Sequence, residues 1–227
     1  MDGPNFIGGM ILGVNIDDHT ESSSTAASLT VPLGTHNQYA IGFTAAGLED
    51  GPAPTRGTPS LDGVSFMLRS SIAVGLEGAS FHLYSWFIEA PTPSASPISI
   101  YTGSISTGAD AYSVFYSISN AVYHSQWKDS GQASYCSRPA YYLATKQGGR
   151  GFMMVGLAGP AIGMAPYPDN WTKFDETYQS PTHHEYRACS RKHSGAYPTS
   201  DSFGASFGGI YSYAYTLLGF DAVRNSY

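Results

Sequence analysis

Residues that could bind a metal or act as nucleophiles concentrate near the end of the chain, at His183, His184, Cys189 and His193. Together with Cys136 they contain enough nitrogen and sulfur donors for a tetrahedral zinc site. The spacing departs from the close ligand pairs of structural zinc sites, and Ala188 stands where a metalloprotease helix needs its second histidine. We therefore expect a solvated polar loop here, with no metal and no cofactor.

A second pattern with catalytic potential is the stretch 204–208 (GASFG), which matches the nucleophile elbow of α/β-hydrolases. That elbow needs a helix directly after it and a histidine later in the chain. Here the alternating tyrosines at 211–215 predict a strand, and no histidine follows His193. The sequence therefore indicates a glycine-rich turn at 204–208 and a protein that is not an enzyme.

The chain has two cysteines, Cys136 and Cys189. They could form a disulfide that closes a long loop, or they could remain as two buried free thiols. Two cysteines in 227 residues are unlike a disulfide-stabilised scaffold. Both alternatives stay open on sequence grounds.

Three aromatic residues in the same part of the chain are candidates for ligand binding: Tyr167, Trp171 and Tyr178. Exposed aromatic rings on a loop can stack on the apolar faces of sugars. The alternative is that these rings pack the loop against the rest of the protein.

The basic residues of this region are the candidate protein interface, namely Lys173, Arg187, Arg191 and Lys192. Residues 1–127 contain two basic and ten acidic residues, whereas 128–227 contain nine basic and seven acidic ones. The basic cluster of one copy could therefore meet the acidic half of another, and the alternative is a solvated loop. Neither half is basic enough to predict nucleic-acid binding.

The elements that must position these residues are predicted to be β-strands. Apolar residues alternate with period two around Tyr39–Phe43, Val64–Leu76, Tyr84–Ile88, Ile98–Ile100, Tyr112–Ile118 and Tyr211–Tyr215. Turn signals such as Asp62-Gly63 and Glu77-Gly78 separate them. We therefore predict one all-β domain over 1–227, an antiparallel β-sandwich resembling a jelly roll, with helix content well below the average of about a third.

Two segments do not follow this alternation. Residues 1–35 are glycine-rich and then acidic and serine-rich, which predicts an N-terminal arm. Residues 159–202 contain five prolines and no period, which predicts a long irregular excursion, with short helical turns at 169–179 or 183–192. Because a segment this long has little apolar content of its own, we expect it to be the main interaction surface. A Gly-Ser linker in place of 166–200 should then leave the sandwich folded.

The composition of the chain bears on membrane spans, secretion and assembly with other subunits. Charged residues make up 12% of the chain, aromatic residues 14%, and the net charge is −6. The uncharged runs at 151–168 and 202–220 are too rich in glycine, proline or serine for membrane spans, and no secretory signal is visible at the start. Low charge and many tyrosines are typical of surfaces buried by neighbouring subunits.

This combination resembles the β-sandwich virion proteins of tailed bacteriophages and other viruses, a resemblance of style carried by segments such as 63–69 (GVSFMLR) and 80–88 (SFHLYSWFI). The resemblance implies a virion structural protein, in capsid decoration, a tail or a fibre, assembled in the host cytoplasm. Its partners would be copies of itself, other virion proteins and, in one reading, a host-surface glycan. The alternative is an extracellular carbohydrate-binding module or a lectin-like receptor-binding protein.

Overall fold

The computed structural model describes residues 13–22, 28–32, 38–76, 79–89, 97–105, 108–138, 148–159, 172–173, 178–179, 184–192 and 203–223. These residues contain fifteen β-strands and no helix. The strands are β1 (Asn15–Ser22), β2 (Ser28–Pro32), β3 (Tyr39–Leu48), β4 (Ser60–Leu61), β5 (Val64–Ser65), β6 (Met67–Leu76), β7 (Ala79–Glu89), β8 (Pro97–Tyr101), β9 (Asp110–Ser119), β10 (Ala121–Arg138), β11 (Arg150–Ala158), β12 (Thr172–Lys173), β13 (Tyr178–Gln179), β14 (His184–Lys192) and β15 (Phe203–Ala222).

The strands form three antiparallel sheets. The central sheet has the order β1-β9-β3-β7-β6, and the large sheet has the order β10-β15-β11-β14-β12, with β13 also paired to β14. The small sheet has the order β2-β8-β4-β5. The predicted all-β fold of antiparallel sandwich-like layers is therefore confirmed.

The central sheet packs on both of its faces. One face meets the large sheet through a core that includes Ile41, Phe43, Leu83, Phe152 and Leu218. The other face meets the small sheet through Leu61, Phe66, Tyr84, Trp86 and Ile100. β3 lies in the middle of this central layer, and nine of its ten residues are buried. Its almost continuously apolar sequence is typical of a strand that is covered on both faces.

Short connections follow the turn residues of the sequence. Asp62 and Gly63 both adopt positive φ angles, 47° and 77°, between the paired residues Leu61 and Val64. This is the two-residue hairpin that an Asp-Gly pair predicts.

Asn120 carries the chain from the central sheet to the large one. It is the one residue between β9 and β10, and its φ of 54° lies in the left-handed region that asparagine tolerates better than most residues. Its carbonyl accepts a hydrogen bond from the backbone N–H of Val223, which follows β15. The two largest layers are therefore joined at a single sharp corner.

The predicted arm and excursion differ from the structure where it describes them. In the first 35 residues, β1 pairs with β9 in the central sheet and β2 pairs with β8 in the small sheet; residues 1–12 lie outside the described part. In the 159–202 segment, β14 is a buried strand between β11 and the short β12 and β13. The predicted helical turns are wrong for 184–192, 172–173 and 178–179, which are strands. Replacing 166–200 would remove β14 from the large sheet, so the structure gives a reason to expect that this replacement destabilises the sandwich.

β10 and β15 continue beyond the rest of the large sheet as a two-stranded ribbon. β11 pairs with β15 from Ser212 to Phe220, whereas β10 follows β15 as far as Phe203. The prediction of a turn at 204–208 is wrong for 204–206, which pair with β10, whereas 207 and 208 lie in the irregularity between Ser206 and Tyr211.

Candidate functional site

A buried arginine is the first polar centre of the structure. The Arg56 side chain, with 6% of the residue exposed, donates through Nη1 to the carbonyls of Ala45 (3.0 Å) and Tyr112 (3.2 Å). Its Nη2 donates to the carbonyl of Thr102 at 3.0 Å. Burial lowers the pKa of Arg56 to about 10. The three carbonyls belong to β3, to β9 and to the segment that follows β8, so the buried guanidinium links these three parts of the protein.

The second polar centre pairs a histidine with a carboxylate. Nδ1 of His184 lies 3.6 Å from Oδ2 of Asp110. An Asp–His pair is the orienting half of many nucleophilic active sites, but a catalytic imidazole must reach its substrate. The His184 side chain is completely buried, between Phe81 (centroids 6.2 Å) and the parallel ring of Tyr186 (6.2 Å). The arrangement is that of a packed core histidine.

Alternation along β14 divides the predicted basic cluster between two faces of the large sheet. Arg187 and Arg191 share the outer face, and Arg187 donates from Nη2 to Oε1 of Glu185 at 2.6 Å, although Glu185 is fully buried. Lys192 lies on the inner face, where its ammonium packs against the backbone at Gly13. Arg187 and Lys192 therefore make contacts within their own chain.

Other predicted site residues fall partly or wholly outside the described part. Tyr167 and Trp171 lie outside it. Lys173 lies in β12 and Tyr178 in β13, where they pair with Cys189 and Tyr186. The aromatic glycan platform stays a prediction.

The two cysteines are far apart in the large sheet. Cys136 pairs with Ala205 of β15. Cys189 pairs with Met153, which pairs in turn with Leu217 of β15. Leu217 pairs with Trp127 of β10, which is nine positions before Cys136, so the two cysteines are roughly 30 Å apart along the sheet at about 3.3 Å per residue. A disulfide joins Cα atoms within about 7 Å. Cys189 is a buried free thiol. The side chain of Cys136 lies outside the described part, so a second buried thiol stays a prediction.

Within the described residues, no group of three or more histidine, cysteine, aspartate or glutamate side chains could hold a metal ion. The same part of the chain contains no helix that is long and apolar enough to cross a membrane.

One surface feature is a set of exposed apolar side chains on the strands β5, β6 and β10, which we call the edge patch. Its members are 41–57% exposed and comprise Val64, Met67, Leu68, Val122 and Trp127. β6 ends the central sheet and β10 ends the large sheet. The two strands touch, because Arg69 lies over the Tyr123 ring and Nζ of Lys128 donates to the carbonyl of Ser71 at 2.7 Å.

Sequence reasoning missed the edge patch. The alternation of Val64, Phe66 and Leu68 predicts that all three side chains face the core. The residue that does so in that stretch is Phe66, which is buried between the central and small sheets. No signal in the sequence marks β6 and β10 as sheet edges, because edge position depends on how the whole sheet is ordered.

Comparisons with known proteins found no relative. No family model matches the chain, and no curated protein or solved structure matches it. Function must therefore be argued from the geometry of the edge patch and the two buried polar centres.

Proposed function

We propose that this chain is a non-enzymatic structural protein of a virion, which acts by assembling with copies of itself and with other virion proteins. The observation that carries the proposal is the edge patch. It places five large apolar side chains on β5, β6 and β10, each of which is the last strand of its sheet in the described part of the chain.

The polar centres support a structural role. Arg56 is held by backbone carbonyls, and His184 is enclosed by aromatic rings. Both side chains are therefore buried between the packed elements, where they stabilise the fold and are inaccessible to a solute. The low content of charged side chains supports an environment in which neighbouring subunits cover part of the surface.

Particle association tests the proposal. We expect quantitative mass spectrometry of density-purified particles from the source cells to find the chain in a constant ratio to the major particle protein. Leu68→Glu should reduce incorporation, because a charge in the edge patch would be buried on assembly. Tyr101→Glu is the matched control, since Tyr101 is similarly exposed (43% against 50%) but belongs to β8 of the small sheet.

Two results would contradict the proposal. One is a chain that stays in the soluble fraction and never sediments with particles. The other is equal loss of incorporation in both variants, which would show that the edge patch has no particular role. Specific sugar binding by the isolated chain, measured on a glycan array, would favour the carbohydrate-binding alternative instead.

A further inference from the structure

Three residues at alternate positions of β7 form hydrogen bonds to the backbone of one connecting segment, 49–59, which joins β3 to β4 and which we call the strap. Because alternate residues share one face of a strand, they meet the strap at successive points. The bonds run from Ser80 Oγ to the carbonyl of Gly51 (2.8 Å), from the His82 ring to the carbonyl of Pro54, and from the backbone N–H of Arg56 to the hydroxyl of Tyr84 (3.3 Å). The strap therefore lies along β7 from Gly51 to Arg56.

The two ends of this contact are held differently. At Arg56, the buried guanidinium binds carbonyls of three other parts of the protein. At Gly51, the residue is exposed and its φ is 122°, a conformation that favours glycine. The segment 51–55 is therefore the more weakly held part of the strap, and His82 is the bonding group there that titrates near neutral pH.

The hydrogen bonds of His82 define its neutral form. Proline has no N–H, so the contact with Pro54 requires a ring N–H that donates to the Pro54 carbonyl. Nδ1 of His82 lies 2.8 Å from the hydroxyl oxygen of Tyr84. A neutral imidazole has one donor and one acceptor, so we assign the proton to Nε2, and Nδ1 accepts from the Tyr84 hydroxyl.

Protonation of His82 reverses one of these bonds. A protonated Nδ1 is a donor, whereas the Tyr84 hydroxyl already accepts the N–H of Arg56 and would have to turn its own hydrogen away. Burial of His82 and the nearby ammonium of Lys128 both disfavour the imidazolium, and they lower the pKa of His82 below its ordinary value of 6.5. The Pro54 carbonyl acts in the opposite direction and does not outweigh them.

The elements around His82 supply cations but no counter-ion. On the neighbouring strands β6 and β3, its register partners are Ala73 and Ala46, which do not titrate. The titratable and charged groups nearby are Tyr84 on β7, Lys128 on β10, and Glu49, Asp50 and Arg56 on the strap. Among the described residues, no carboxylate is one of the groups that shift the pKa of His82. An imidazolium at this position is therefore not compensated by a carboxylate of the described chain.

We propose that His82 is an acid-sensitive switch for the strap: the neutral ring holds 51–55 against β7, and protonation releases this segment. Release would uncover the aromatic face of β7, where the Tyr84 ring is 6% exposed and stacks on His82 with centroids 4.1 Å apart. The stabilisation of the closed strap is fully present above pH 6.5 and is lost as the pH falls from there through the lowered pKa of His82. This switch goes beyond the proposed function and does not depend on it.

Hydrogen exchange of the whole chain tests the switch, measured at about pH 7.5 and about pH 5, on either side of the ordinary histidine pKa, and corrected for intrinsic exchange rates. The protection of the strap amides at 51–56 should fall in acid by about tenfold for each unit by which the closed strap lowers the pKa of His82. The protection of β3 should stay the same, because its pairing with β7 and β9 does not involve the imidazole. Strap protection that is equal at the two pH values would overturn the proposal.

Two histidine variants separate the switch from a general effect of acid. His82→Gln should remove the pH dependence, because glutamine stays neutral and its amide can donate to the Pro54 carbonyl. His124→Gln is the matched control, since His124 is an exposed histidine of β10, and it should keep the wild-type pH dependence. A pH dependence that persists in folded His82→Gln would overturn the proposal. If that variant does not fold, titration of the His82 ring by NMR in the wild-type chain decides: a pKa below 6.5 supports the switch, and one at or above 6.5 overturns it.

Discussion

The guanidinium carbon of Arg69 lies 3.4 Å from the centre of the Phe87 ring. The same carbon lies 4.9 Å from the centre of the Tyr123 ring. Phe87 belongs to the central sheet and Tyr123 to the large sheet, so one cation bridges the edges of two layers. The register shift between Leu68 and Ser70 leaves Arg69 out of the regular pairing with β7.

We expect Arg69→Met to lower the free energy of unfolding by about 0.5–2 kcal/mol, because methionine keeps the apolar stem but removes the cation from the two rings. Urea unfolding followed by circular dichroism would measure the change. In a double-mutant cycle, Tyr123→Leu should reduce the effect of Arg69→Met. If the two effects were simply additive, the cation and the Tyr123 ring would not interact.

We expect replacement of Arg56 to lower the free energy of unfolding more than replacement of Arg69. Arg56→Met removes the donor for carbonyls of Ala45, Tyr112 and Thr102 in a buried region, and each carbonyl left unsatisfied is costly. We expect a loss of at least about 3 kcal/mol in the free energy of unfolding. Lys192→Met, at an exposed cation, should change stability much less. Equal effects in the two variants would mean that Arg56 is not a structural link.

Buried tyrosines should make the protein sensitive to alkali. Burial raises the pKa of Tyr39, Tyr84 and Tyr123 above the ordinary value of 10.0. Since the unfolded chain ionises first, their stabilising contribution is fully present below pH 10 and is lost as the pH rises through the folded pKa values. Arg56 opposes this trend, because its lowered pKa makes the unfolded chain bind more protons above about pH 10. We expect a net fall in stability, because three tyrosines act in this direction and one arginine acts against it.

Two measurements would check the alkaline prediction. Urea unfolding at increasing pH should show stability falling above pH 10, and tyrosinate absorbance should rise later in the folded protein than in urea. Tyr84→Phe should reduce the slope of stability against pH. Identical absorbance titrations for folded and unfolded chains would contradict the prediction.

Cys189 should be chemically inert in the folded protein. It is fully buried, and burial raises the pKa of its thiol, so little thiolate is present at neutral pH. In a Cys136→Ser variant, a thiol reagent such as 5,5′-dithiobis(2-nitrobenzoic acid) should react orders of magnitude more slowly than with the same protein in urea. Rapid labelling under native conditions would show that β14 opens easily.

The sequence by itself determined the β-rich fold class and most of the central sheet. β3, β7 and β9 are recognisable because their apolar residues are continuous or alternate, and the hairpin at Asp62-Gly63 follows from local backbone preferences. These signals depend on residues that are close together in the sequence, so they can be recognised without the tertiary structure.

Three features depend on the tertiary structure: β14 is a strand, the small sheet forms a third layer, and the edge patch is exposed. The sequence does not predict β14 as a strand, because Glu185 and Arg187 interrupt its apolar pattern. In the structure Arg187 donates to the fully buried Glu185, and this ion pair offsets part of the cost of burying the carboxylate. The exposure of Leu68 and Trp127 depends on β6 and β10 being the last strands of their sheets. Strand order is set by contacts between residues distant in sequence, so the hydrophobic period of a single strand does not show which strands lie at the edges.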